Sequence, residues 1–198
     1  MEVLIKKIQN AVRDVCIGSK FYRHTIWPHA LGVAKSAKDF AETLGADLFV
    51  AQVGGLLHDI GAAKFGKDDH HITGVQLASP ILLQCACPLE FIGVILSCIY
   101  SHRGSQNIPF QTQEAMCVAA ADAKDHFDYV DELWLSHMRD LNTPTLFIFQ
   151  ELSGKLERDW KKTEPQIKVM LGGTYDRAKQ RLIGIADGCI KPRERFCE

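Results

Sequence analysis

A chain of 198 residues is long enough for one domain with a substantial core, and 46 % hydrophobic residues is ordinary for a globular protein. A formal net charge of −1 provides no bulk basic field, which argues against nucleic acid as the main partner. No run approaches the roughly 18 apolar residues of a membrane span. The opening residues Met1-Glu2-Val3-Leu4-Ile5-Lys6-Lys7 lack a signal-peptide core, so a cytoplasmic protein with no membrane partner is expected.

Apolar residues recur at helical spacing almost throughout, and alternating strand patterns are scarce. A first helix is expected over 2–16, with Val3, Ile5, Ile8, Val12 and Val15 near one side and Gly18-Ser19 ending it. Trp27-Pro28 marks a second start. That helix runs to about Leu44, stops at Gly45, and carries His29 on its inner stripe between Ile26 and Val33. A lone histidine there is a satisfied core residue or a ligand, and periodicity alone does not separate the two. A third helix, about 46–58, ends in the pair His58-Asp59. Ala51, Gly54 and Gly55 lie on the side of His58, and their small size invites close approach by another helix. Gly61 is expected to let the chain turn, and 62–69 reads as a polar loop.

Asp68 or Asp69 is a fair N-cap for a helix over 70–86. His70 lies on the side of Gly74, Leu77 and Ile81, and His71 lies beside it on the face of Val75 and Leu82. Either could point inward. Pro88 opens a fifth helix with the stripe Ile92, Ile95, Ile99, His102. Thr112 starts a sixth, from which Asp122 emerges beside Ala115, Val118 and Ala119. Further helices are expected near 129–140, 144–162 and 165–187, with no shift in composition that would mark a separate domain and a loosely held tail from Lys191. The whole is read as one domain over 1–198, with a core at 25–130 and C-terminal helices, 131–198, packed on it.

The seven cysteines, at 16, 85, 87, 98, 117, 189 and 197, read as reduced, structural thiols. Cys85-Ala86-Cys87 does not have the spacing of a zinc knuckle. Trp134, Trp160, Phe147 and Phe149 read as packing residues. His24 and His137 read as solvated, Asp125 as a helix-surface residue, and His126 as a candidate for orienting a ligand, one turn beyond Asp122.

His29, His58, Asp59, His70, His102 and Asp122 lie on or cap the inner faces of five helices. Unpaired, so many buried polar groups would threaten a fold whose whole margin is about 5–15 kcal/mol. A shared divalent cation would satisfy them, because imidazole nitrogen and carboxylate oxygen suit manganese, iron, zinc or magnesium.

The order His29, His58-Asp59, Asp122 resembles the H…HD…D pattern of the HD-domain superfamily of metal-dependent phosphohydrolases. The segments His70-His71-Ile72-Thr73-Gly74, Ser101-His102-Arg103-Gly104-Ser105 and Ala121-Asp122-Ala123 strengthen the likeness. The resemblance implies an all-α single-domain bundle with a metal site between its helices. His29, His58, Asp59 and Asp122 would hold a first ion. In two-ion members Asp59 bridges, and His70 and His102 bind the second; in one-ion members those histidines contact phosphate or donate a proton. The expected activity is hydrolysis of a phosphate ester of a small molecule, a nucleotide among the candidates, with Lys64 and Arg103 as candidate phosphate contacts. Some nucleotidase-type members carry an acidic residue three positions beyond the HD aspartate, where this chain has Ala62. Two other readings compete: a non-catalytic nucleotide-binding signalling module, and a di-iron oxygenase of the same fold. The oligomeric state is open, with a homo-oligomer among the options.

Overall fold

The structure, a computed structural model, describes residues 1–21, 25–106, 108–140 and 143–195, with His24 and Cys197 outside that set. The described residues form helices and no strand: α1 Glu2–Ile17, α2 Ile26–Leu44, α3 Leu48–Leu57, α4 Ile60–Phe65, α5 His70–Gln84, α6 Leu89–Ser101, α7 Gln113–Asp128, α8 Val130–Asp140, α9 Thr145–Lys162 and α10 Pro165–Ala186. No helix among these residues is long and apolar enough to cross a membrane. The chain falls into two compact units, Met1–Asp122 and the residues from Ala123 onward.

Local chemistry sets the helix ends in the first unit. Gly45 closes α2 in the left-handed conformation at φ 71°, which glycine adopts without a Cβ penalty. The Asp47 carboxylate accepts the Val50 N–H at 2.9 Å, so α3 starts one residue after that cap rather than at Ala46. Thr112 Oγ1 accepts the Ala115 N–H at 3.2 Å and starts α7. In α1 the buried side is Ile8, Val12 and Cys16, while Val3, expected on the inner side, is exposed.

Two glycines bring helices unusually close. A Cβ on Gly55 would lie 2.8 Å from the Cα of Ala34, so α3 meets α2 nearly backbone to backbone. A Cβ on Gly61 would lie 2.3 Å from the His70 carbonyl oxygen and 2.6 Å from the Gly74 nitrogen. Gly61 is therefore a contact point between α4 and α5, and not the turn its sequence position suggested. The loop expected over 62–69 is also corrected. Its first part belongs to α4, because Ile60, Ala62 and Ala63 are buried and favour helix.

The second unit has its own core, built from Phe127, Val130, Trp134, Ile148, Leu152, Leu156, Tyr175 and Leu182 among others. Its buried charges are paired. Arg195 donates twice to Asp125, at 3.0 and 3.2 Å, and Arg181 makes a two-pronged contact with Asp131. Asp125 is thus a buried partner of Arg195, not a surface residue. His137 is likewise held rather than solvated: its Nδ1–H donates to the Leu133 carbonyl at 2.8 Å. Trp134 is core as expected, but Phe147 is exposed. The six described cysteines are all unpaired thiols; burial raises Cys16 and Cys117 to about 12, so both stay protonated.

Candidate metal centre

Six side chains from five places in the first unit converge. His29 comes from the first turn of α2, and His58 and Asp59 occupy the joint between α3 and α4. His70 is the first residue of α5, His102 directly follows α6, and Asp122 lies in α7. The imidazole Nε2 atoms of His29 and His58 are 3.0 Å apart, with Asp122 Oδ1 at 3.4 and 3.8 Å from them. The Nε2 atoms of His70 and His102 are 3.1 Å apart. Asp59 stands between the pairs: Oδ2 is 3.8 Å from His29 and 3.7 Å from His58, while Oδ1 is 3.3 Å from both His70 and His102.

The protons of three of these rings follow from the backbone. The Nδ1 atoms of His58, His70 and His102 lie 2.7, 2.7 and 2.6 Å from the carbonyl oxygens of Gly55, Lys67 and Ile99. A carbonyl only accepts, so each Nδ1 carries the proton and each neutral ring keeps a bare lone pair on Nε2. Two of the acceptors, Gly55 and Ile99, sit in the last turns of α3 and α6, where carbonyls lack intrahelical partners. One hydrogen bond thus finishes a helix end and orients an imidazole. Bare lone pairs facing one another at about 3 Å repel unless a cation or a proton lies between them. The donor set of imidazole nitrogens and carboxylate oxygens therefore fits divalent metal, in two groups that share Asp59.

Electrostatics favour the metal-ready state. Burial lowers His58 to about 3, against an upward pull from Asp59, so its ring is neutral at physiological pH. Burial alone would raise Asp59, but the imidazoles of His58, His102 and His70 outweigh it and hold the carboxyl well below its usual range. For metal-stripped protein this sets the pH dependence. Between about 3 and the ordinary 6.5, the unfolded His58 binds a proton that the folded one does not. Stability therefore falls as pH drops through that window, by up to roughly 1.4 kcal/mol per pH unit from this group. Asp59 adds in the same direction below its ordinary 3.8, where a depressed carboxylate loses its stabilising charge. Urea midpoints of chelator-treated protein from pH 7 to 4 should slope more steeply in wild type than in His58→Gln; equal slopes contradict the assignment.

Lys64 is exposed in the last turn of α4. Arg103 stands beside the cluster, with Nη1 3.2 Å from His71 Nδ1. Of the neighbours His70 and His71, only His70 reaches Asp59; His71 faces Arg103. His126 donates from Nδ1 to the Asp159 carboxylate at 2.8 Å within the second unit. Sequence reasoning gave His71, Asp69 and Ser105 no part at Arg103, and the backbone carbonyls no part at the histidines. The three-residue offset from Gly55, Lys67 and Ile99 to their histidines becomes readable only once helix ends are known.

The family model of the HD domain matches residues 26–126. Over 102 residues, 52 % of this chain, the sequence is 35 % identical to Ribonuclease Y of Enterococcus faecalis and 37 % identical to Ribonuclease Y of Pseudothermotoga lettingae. The match takes in 18 % of each of those proteins, so the chain spans under a fifth of the curated relatives it matches. Among solved structures, a predicted HD superfamily hydrolase from an uncultured Thermotogales bacterium superposes with a TM-score of 0.53 at 27 % identity, covering 63 % of this chain and 70 % of that one.

Proposed function

The chain belongs to the HD domain family, and from that premise we propose that it is a metal-dependent phosphohydrolase acting on a phosphate ester of a small molecule. The observation that carries this reading is the Asp59 carboxylate, with one oxygen toward His29 and His58 and the other toward His70 and His102. His29, His58 and Asp122 with Asp59 Oδ2 would hold one divalent ion, and His70 and His102 with Asp59 Oδ1 a second. Such ions neutralise phosphoryl oxygens and lower the pKa of a water. The chain's own groups do the rest. The backbone carbonyls of Gly55, Lys67 and Ile99 keep three imidazoles aimed inward, with their protons on the far nitrogen. Arg103 supplies a fixed cation beside His102 for a phosphoryl oxygen. Lys64, exposed in the last turn of α4, is a second candidate cation. Position 62 is a buried alanine, so no carboxylate there can take a proton from water.

The test is turnover by metal-replete protein, under anaerobic conditions, on phosphomonoesters, nucleotides, cyclic and linear phosphodiesters and short RNA. RNA earns its place because the matching relatives are ribonucleases by name. Hydrolysis that disappears with chelator and returns with manganese, iron, zinc or magnesium is expected. Tight nucleotide binding without turnover would overturn the reading in favour of a signalling module, and a product that forms only with dioxygen would favour an oxygenase.

A further inference from the structure

Arg103 is held on three sides and open on the fourth. Its Nε donates to Ser105 Oγ at 3.1 Å, and its Nη1 reaches His71 Nδ1 at 3.2 Å and Asp69 Oδ1 at 3.4 Å. Among the described residues nothing engages Nη2, although the side chain is only 18 % exposed. A guanidinium only donates, so His71 Nδ1 must be the acceptor and the His71 proton sits on Nε2. That is the reverse of His58, His70 and His102, whose Nδ1 atoms donate. Adjacent residues on one helix, His70 and His71, thus carry opposite tautomers.

His71 is itself fixed. It is buried, and its ring lies 5.4 Å from that of Tyr100 and 6.2 Å from that of His70. Two of the three groups that hold Arg103, the His71 ring nitrogen and the Ser105 hydroxyl, orient the guanidinium without cancelling its charge. The third, Asp69, is 70 % exposed and solvent-screened. The result is an oriented cation with free donors next to His102.

We propose that His71 is a positioning residue. It holds Arg103 as an anion clamp whose free Nη2 edge grips a phosphoryl oxygen of the substrate. The proposal rests on the phosphohydrolase reading and gives the second histidine of the doublet a role distinct from metal binding.

A double-mutant cycle tests it. His71→Leu should raise KM about tenfold with kcat within about twofold, the loss of one charge-assisted orienting bond. His71→Asn, whose Oδ1 can accept where Nδ1 did, should restore KM to within about threefold of wild type. Arg103→Met should raise KM further, and adding His71→Leu to it should change nothing more. Multiplicative effects, or an Asn variant as poor as the Leu variant at equal metal content, overturn the proposal. A second test needs no variant that might misfold: long-range 15N–1H spectra of wild-type protein should place the His71 proton on Nε2, and a proton on Nδ1 refutes the pairing. If wild type hydrolyses no ester, that failure belongs to the phosphohydrolase reading alone. Titration of the same proteins with inorganic phosphate, reading Kd in place of KM, then decides the clamp.

Discussion

Asp59→Ala should empty the His70–His102 half of the centre, weaken metal binding in the other half, and lower turnover by about 10³-fold or more. The expectation comes from its position. Each of the other five residues faces one half, whereas Asp59 places Oδ2 within 3.8 Å of His29 and His58 and Oδ1 within 3.3 Å of His70 and His102. Removing it takes the shared anion from both groups: His70 and His102 are left as neutral imidazoles, which hold a dication weakly by themselves, while His29 and His58 keep only the Asp122 carboxylate. Asp59→Asn, which keeps the shape and loses the charge, should fail almost as badly. His70→Ala should be milder, losing one equivalent of metal while the half built by His29, His58 and Asp122 still binds. His137→Ala should retain all metal, since that ring is held by Leu133 and Glu151 in the second unit. Elemental analysis of the purified variants checks the series. An Asp59→Ala protein with wild-type metal content would show that the carboxylate is not shared.

The second large effect is expected at a residue with no side chain. Gly61→Ala should cost about 3 kcal/mol of stability and about 10²-fold in activity. The added Cβ would meet the His70 carbonyl oxygen at 2.3 Å and the Gly74 nitrogen at 2.6 Å, both backbone atoms with no rotamer in which to retreat. α4 and α5 must part by roughly an ångström to reach ordinary contact. His70 opens α5, and its Nε2 is 3.3 Å from Asp59, so the parting displaces one ligand and leaves the His29–His58 half in place. Urea denaturation with manganese titration should show lowered stability and the selective loss of one binding equivalent. Wild-type stability with full binding would mean that the two helices separate without disturbing the centre.

Much of this was legible in the sequence because it is periodic. Long helices announce themselves by apolar spacing, and their ends by Gly45, Pro88 and Thr112. α4 was missed because its six residues, Ile60–Phe65, are too short to display a period, and glycine at a helix crossing has the same letter as glycine at a turn. The convergence of His29, His58-Asp59 and Asp122 was legible through family likeness, whereas the proton positions were not. They depend on carbonyls at helix ends and on an arginine 32 residues from His71. The same distance effect explains the misread polar residues: Asp125 finds Arg195 seventy positions on, and His137 finds Glu151 on the next helix. A polar side chain looks solvated until the fold supplies its partner.

The shared-carboxylate centre is tested most directly by anomalous diffraction from crystals grown with manganese. Two peaks are expected, one against Asp59 Oδ2 among His29, His58 and Asp122, the other against Asp59 Oδ1 between His70 and His102. No peak beside Asp59 in protein that holds manganese by elemental analysis would contradict it, as would a single peak touching only one set of imidazoles.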